Sequence, residues 1–314
     1  MLSRTADHVY WLGRYAERAE ELARTLDVQY RLSLLPHDHG ADGYGWEVVL
    51  GTLGLEERYG ERHERIEPHW VIDFLAFDTG NPSSILSCLR AARENARAVR
   101  GAISSEMWET FNSTWLEARA QAPSRFTAFK VAEFVDWVKY RAHLARGVVL
   151  ASMLRDEGYH FMQIGTFLER ADGVARLLLI RDACERATAA AGAATHDYYP
   201  WSLLLRGLSA FESFRRVSRG SVSPGHVMEF MILHRDVPRS IYRSTNLVHE
   251  NLRSVANAGS GETERRAGLL HAELRYGTLA TLATGGCAAF LGQLLERTAD
   301  LSDRIGRDFL GHVA

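Results

Sequence analysis

The chain repeats itself. Met1-Leu2 through Val28 aligns with Met153-Leu154 through Ile180 at a spacing of 152, which pairs His8 with His160 and Gly13 with Gly165. In the same window Glu17-Arg18-Ala19 matches Glu169-Arg170-Ala171, and Ala23-Arg24 matches Ala175-Arg176. Trp46 matches Trp201 at 155; at 156, Pro68 matches Pro224, Phe74 matches Phe230, Pro82 matches Pro238 and Ser84 matches Ser240. Glu94-Asn95-x-Arg97 then recurs as Glu250-Asn251-x-Arg253. The order never breaks, and the small drifts in spacing read as short insertions. A repeat of this length confines the fold to two copies of one supersecondary plan. The expectation is a tandem duplication, 1–152 and 153–314, with pseudo-twofold related halves sharing one core.

Both copies read as helices. Leu12, Tyr15, Ala16, Ala19, Leu22, Ala23 and Leu26 fall at i, i+3, i+4 spacing, and Ile164, Phe167, Leu168, Ala171, Val174, Ala175 and Leu178 repeat the stripe. Ile85, Cys88, Leu89, Ala92, Ala96 and Val99 make another stripe. Residues 131–154 and 287–310 correspond as long terminal segments, and no strand-like alternation appears. The loops are expected at 36–45, around Gly80, at 191–200 and at 257–264. The fold class predicted is an all-α helical bundle.

Composition then narrows the function. With 37 Lys and Arg against 39 Asp and Glu, the chain carries a net charge of −2, which gives no support to non-specific nucleic-acid or anionic-membrane binding. No apolar run reaches the ~18 residues of a membrane span. Three widely spaced cysteines (Cys88, Cys184, Cys287) make neither a metal pair nor a disulfide framework, so a reducing cytoplasm is expected.

The polar residues that recur carry the signal. Arg14, Glu17 and Arg18 sit at i, i+3 and i+4, with Glu17 about 140° from Leu12 around the helix. Gly13 lies one turn before Glu17, as Gly165 lies before Glu169. A mid-helix glycine costs ~1 kcal/mol relative to alanine, so it marks a close approach. A freely solvated face has no need to repeat identities. Two readings follow: an interhelical ion network, or a polar ligand site of carboxylates and guanidiniums. Glu17, Arg18, Glu169 and Arg170 are expected to converge, with Glu94 and Glu250 nearby, and Asn95, Arg97, Asn251, Arg253, Glu106 and His160 complete the candidate set. Glu106 falls in Ser105-Glu106-Met107-Trp108-Glu109, approximately matched around Glu273; Trp108 and Met107 read as core.

Four repeated glutamates invite comparison with dimetal carboxylate bundles, but those need Glu-x-x-His pairs. Here Glu20, Arg97, Asp172 and Arg253 stand three residues on, so no metal and no cofactor is expected. His37-Asp38-His39 lacks a third ligand and reads as a solvated loop. No P-loop, GxGxxG, HExxH or GxSxG motif occurs.

Taken in order, WLGRYAERAEELAR, FLERADGVAR and SSEMWETFN resemble the bacterial Alpha-E family, an all-helical group named for its Glu-Arg motif. The resemblance spans the whole chain and makes Glu17-Arg18 and Glu169-Arg170 the family's Glu-Arg positions. Arg14 faces Thr166 in the other copy, so that arginine cannot serve both halves alike. Such proteins accompany a circularly permuted ATP-grasp-type ligase, transglutaminase-like peptidases and sometimes a proteasome-related peptidase. The resemblance therefore implies work in an amide- or peptide-bond forming system. Three functions stay open: a non-ATPase partner that binds the ligase or its peptide substrate, an enzyme using the Glu/Arg/His cluster on an anionic substrate, and a structural scaffold.

Overall fold

The computed structural model describes residues 1–34, 45–121, 128–190, 198–218 and 220–311, and over these residues the chain is all-helical, without a strand. The first half carries α1 (Ser3–Ser33), α2 (Trp46–Leu53), α3 (Glu56–Gly60), α4 (Pro68–Ala76), α5 (Ile85–Ala98), α6 (Ser105–Gln121) and α7 (Ala128–Ser152). There follow α8 (Glu157–Ala190), α9 (Tyr198–Gly207), α10 (Phe211–Val217), α11 (Pro224–Leu233), α12 (Ile241–Ser254), α13 (Gly261–Tyr276), α14 (Leu279–Leu282) and α15 (Cys287–Phe309).

The two longest helices, α1 and α8, run against each other as the central pair. α5 packs on α1 and α12 on α8; α6 then packs on α5, and α13 on α12. α7 closes against α1 and α6, and α15 against α8 and α13. The short helices cross over, α2 resting on α8 and α9 on α1. The apolar clusters cross as well. Val28 and Leu32 lie among the residues of α9 to α12, while Ile180 and Cys184 lie among those of α2, α4 and α5.

Local chemistry sets the helix starts. The Ser84 hydroxyl accepts from the Ser87 N–H to open α5, and the Ser240 hydroxyl accepts from the Arg243 N–H to open α12. Pro68 and Pro224 stand in the first turns of α4 and α11, where a missing N–H leaves no bond unmade. Trp46 and Trp201 are both fully buried. Two loop expectations need correction. Tyr198 to Pro200 already belong to α9, and Gly261 to Glu264 to α13, whose first turn takes Glu262 and Glu264 where the helix dipole favours acids. His37-Asp38-His39 lies outside the described residues.

The crossing of α1 and α8 explains the two glycines. A Cβ on Gly13 would run into the Met162 carbonyl oxygen, and one on Gly165 would run into the Tyr10 carbonyl oxygen, both well inside van der Waals contact. The obstacle is backbone in each case, which cannot swing aside. Gly13→Ala is therefore expected to destabilise the chain by about 1–3 kcal/mol or more despite alanine's better helix propensity. The midpoint of a urea denaturation curve reads this; an unchanged or higher midpoint would refute the backbone-contact argument.

Candidate functional site

The side of α1 away from its apolar stripe is also buried, because α1 is enclosed by α5, α7, α8 and α9. Glu17, Glu20, Glu21 and Arg24 lie there, one turn after another. From α8, Arg170 forks onto Glu17, its Nε donating at 2.6 Å and its Nη2 at 2.9 Å. In return Arg18 of α1 forks onto Glu169 of α8, its Nε donating at 2.6 Å and its Nη2 at 3.1 Å. Each Glu-Arg motif thus exchanges its charges with the other. Bidentate guanidinium–carboxylate pairs fix geometry as well as charge. Arg14 also donates to Glu169 and uses Nη1 on Tyr10 Oη at 2.9 Å and Ser302 Oγ at 2.8 Å.

Beyond this reciprocal pair the network grows on one side only. Arg239, from the turn before α12, reaches Glu17, Glu20 and Glu21, and Arg146 of α7 reaches Glu17 and Glu20. Arg24 donates from Nη2 to Glu20 at 2.8 Å and also to the Gly207 carbonyl. Six guanidiniums surround four carboxylates. Burial opposes ionisation of Glu17, yet Arg170 and Arg239 hold its pKa below the ordinary carboxyl value. Burial is likewise overcome at Glu20, where Arg239, Arg146 and Arg24 keep the carboxyl well below that value, and at Glu169, which Arg14 and Arg18 bring down to about 2. Glu21 is the exception. Burial pushes its pKa up to about 7 against the pull of Arg239, with the charges of Glu17 and Glu20 adding to the rise. Its Oε2 has no hydrogen-bond partner.

The other candidates stand apart from this network. His8 Nδ1 donates to Asn95 Oδ1 at 2.8 Å, and His160 Nδ1 to Asn251 Oδ1 at 2.7 Å. Asn95 and Asn251 donate their amides to Ala91 and Leu247 carbonyls on their own helices, which fixes the oxygen toward the histidine. These contacts tie α1 to α5 and α8 to α12. Glu94 and Glu250, expected near the Glu-Arg cluster, do not join it. Glu94 accepts from Arg93 and Arg97 of its own helix, and Glu250 is exposed and accepts from Asn246. Opposite the apolar stripe of an outer helix lies solvent, whereas opposite that of α1 lies α8 or its neighbours. Arg97 and Arg253 are exposed for the same reason, and Glu106 is exposed on α6. Met107 is buried, and Trp108 is half-buried under Arg93 and Arg100. Among the described residues no three His, Cys, Asp or Glu gather as metal ligands.

Beside the reciprocal pair, a cleft of about 390 Å³ lies where α1, α8 and α15 meet. Arg14, Arg18, Arg176, Glu21, Glu169, Asp172 and Asp303 supply its charged walls, and Leu22, Leu53, Leu55 and Leu168 its apolar ones.

A family model for Alpha-E, described as a predicted alpha-helical domain with a conserved ER motif, matches residues 1–310. The chain belongs to the Alpha-E family. Uncharacterized proteins of Mycobacterium bovis and of two strains of Mycobacterium tuberculosis are each 25% identical to it over 315 residues, covering 93% of this chain and 35% of theirs. The chain therefore spans about a third of the length of the curated relatives it matches. No solved structure matches it. Among the described residues no helix is long and apolar enough to cross a membrane.

In this Alpha-E chain the Glu-Arg positions hold the central helix pair together, and five further members of the network escaped the sequence analysis as site residues. Glu20, Glu21 and Arg24 follow Glu17 at i+3, i+4 and i+7 on one helix face, a signal open to a reader of periodicity. Arg146 and Arg239 carried none: each is a single arginine whose counterpart at a spacing of 156 is a serine.

Proposed function

We propose that this Alpha-E chain is a non-ATPase partner of a circularly permuted ATP-grasp-type amide or peptide ligase and docks on it through α7. The ligase comes from the family resemblance; the observation supporting docking is the outer face of α7. Tyr140 is 66% exposed, Leu150 61% and Leu154, just past its end, 77%, with Leu144 also open. Tyr140, Leu144, Gly147 and Ala151 fall on one stripe of the helix and line a shallow hollow with Glu106 and His143. An apolar stripe rimmed by polar groups suits a protein partner. The long relatives, of which this region is a third, support a module that works beside other domains.

Catalysis by the Glu-Arg cluster is the weaker reading. Glu17 and Glu169 are held ionised by arginine forks, so neither has a proton to give at neutral pH. His160 is tied to Asn251. The test is size-exclusion chromatography of the chain mixed with the ligase of the same genome at micromolar concentration. Co-elution is expected, lost in Leu144→Glu. Two independent peaks with a folded ligase would overturn the proposal.

A further inference from the structure

The cleft beside the Glu-Arg pair is walled by Arg14, Arg18 and Arg176 but lies where the network lacks counterparts of Arg146 and Arg239. At a spacing of 156, Pro82-Ser83-Ser84 stands against Pro238-Arg239-Ser240, so Ser83 takes the place of Arg239. The same spacing sets Ser302 against Arg146. There the buried faces of α7 and α15 agree, Phe134 with Phe290, Val138 with Leu294 and Val149 with Ile305. Arg239 and Arg146 are the guanidiniums packed around Glu17, Glu20 and Glu21. Around Glu169 and Asp172, which match Glu17 and Glu20, a serine replaces each, and both serines line the cleft. Gly173, matching Glu21, has no side chain, and the Glu21 side chain takes the space over it at the cleft wall.

The walls hold unspent groups of both signs. Glu21 is only 5% exposed, lines the cleft, and its Oε2 has no hydrogen-bond partner. A buried carboxylate oxygen left without a donor is costly, and a donor entering the cleft relieves it. Asp303 stands exposed on the same wall with no ion-pair partner among the described residues. Asp172 takes only Arg176, where Glu20 takes three arginines. On the other side, Arg14 spends Nε and Nη1, and Arg18 spends Nε and Nη2, leaving one terminal nitrogen of each open. The volume is that of a small-ligand site.

We propose that this cleft binds a basic amino acid, free or as the end of a peptide. Its guanidinium or ammonium enters where serines stand in place of arginines and meets Glu21, Asp172 and Asp303. Its carboxylate meets the open edges of Arg14 and Arg18, and its methylenes lie along Leu22, Leu53 and Leu168. This goes beyond ligase docking, which uses α7: a chain that binds the amino acid and not the ligase, or the reverse, separates the two.

Isothermal titration with L-arginine, citrulline, agmatine and Gly-Gly-Arg tests it. L-arginine is expected to bind with a Kd of about 1 mM or tighter, and citrulline, uncharged at the side chain, about tenfold more weakly. Agmatine, which lacks the carboxylate, should also bind more weakly. Equal or tighter binding of Gly-Gly-Arg identifies a peptide end as the occupant; binding of arginine alone identifies the free amino acid. Ser83→Arg puts a tethered guanidinium in the cleft and is expected to abolish binding while raising the thermal midpoint. Should that variant misfold, Glu21→Gln decides, with an expected loss of about tenfold in affinity at an unchanged circular dichroism spectrum. Equal binding of arginine and citrulline, no heat from any of the four compounds, or wild-type affinity in folded Ser83→Arg and Glu21→Gln would overturn the proposal.

Discussion

Replacing Glu17 by alanine is expected to lower the unfolding free energy by about 3–5 kcal/mol, the scale for breaking a buried ion pair by removing one partner. The side chain is 2% exposed and accepts from Arg170, Arg146 and Arg239. Arg170 is the decisive neighbour. It is buried, both of its hydrogen bonds go to Glu17, and its ring contact with Phe167 cannot take over a charge. Alanine would leave that guanidinium desolvated and unpaired. Glu17→Gln keeps an acceptor and should lose less. Urea unfolding at pH 7 measures both; a loss below about 1 kcal/mol for the alanine variant would mean that Glu17 is held there for ligand chemistry rather than architecture.

Glu21 is expected to give the stability an unusual slope with pH. Its ordinary pKa is 4.5, and burial lifts it to about 7 in the folded chain. Between those values the folded chain keeps a proton that the unfolded chain has released. Unfolding therefore releases protons, and stability falls by about 3 kcal/mol as pH rises from 4.5 to 7, then levels off. Glu169 acts in the opposite direction in a lower window. Its folded pKa of about 2 means that its stabilisation is complete above 4.5 and is lost as pH falls toward 2. His143, His249 and His271, pulled down by burial, lose stability as they charge in acid. The difference between wild type and Glu21→Gln cancels these other groups. That difference should change by about 3 kcal/mol between pH 5 and pH 8, in favour of the glutamine at pH 8. Urea curves at four pH values across that range check it, and a difference that stays flat would show that Glu21 ionises normally.

How far the sequence foretold this molecule follows from what kind of signal each residue carried. The stripe Leu12, Ala19, Leu22, Ala23, Leu26 marked α1 because apolar spacing and helix geometry share one period. Glu17, Arg18, Glu169 and Arg170 were legible as a converging set because repeated identity without an apolar role asks for a partner. Glu94-Asn95-x-Arg97 recurred just as plainly, but there only Asn95 meets another helix; Glu94 and Arg97 face outward. Recurrence marks a constraint without saying whether it is a contact or a surface. Arg146 and Arg239 failed for the opposite reason. A search for what two stretches share passes over what only one possesses, and the lopsided part of the network is built from such residues. The burial of α1 on its polar side was hidden too, since helix periodicity does not reveal how many neighbours a helix will have.

The crossing of partners between α1 and the rest of the chain has a consequence for synthesis. When α1 leaves the ribosome, Glu17, Glu20 and Glu21 are already on one helix, but Arg146 lies more than a hundred residues behind them and Arg239 more than two hundred. Val28 and Leu32 meanwhile wait for α9 through α12. The nascent α1 thus has its acids and part of its apolar surface uncovered until the helices that follow it, through α12, have been translated. Contacts this distant in sequence are slow to close and leave sticky intermediates open for longer. A chain with this wiring completes its central helix among the last of its elements, although α1 is made before every helix it packs against.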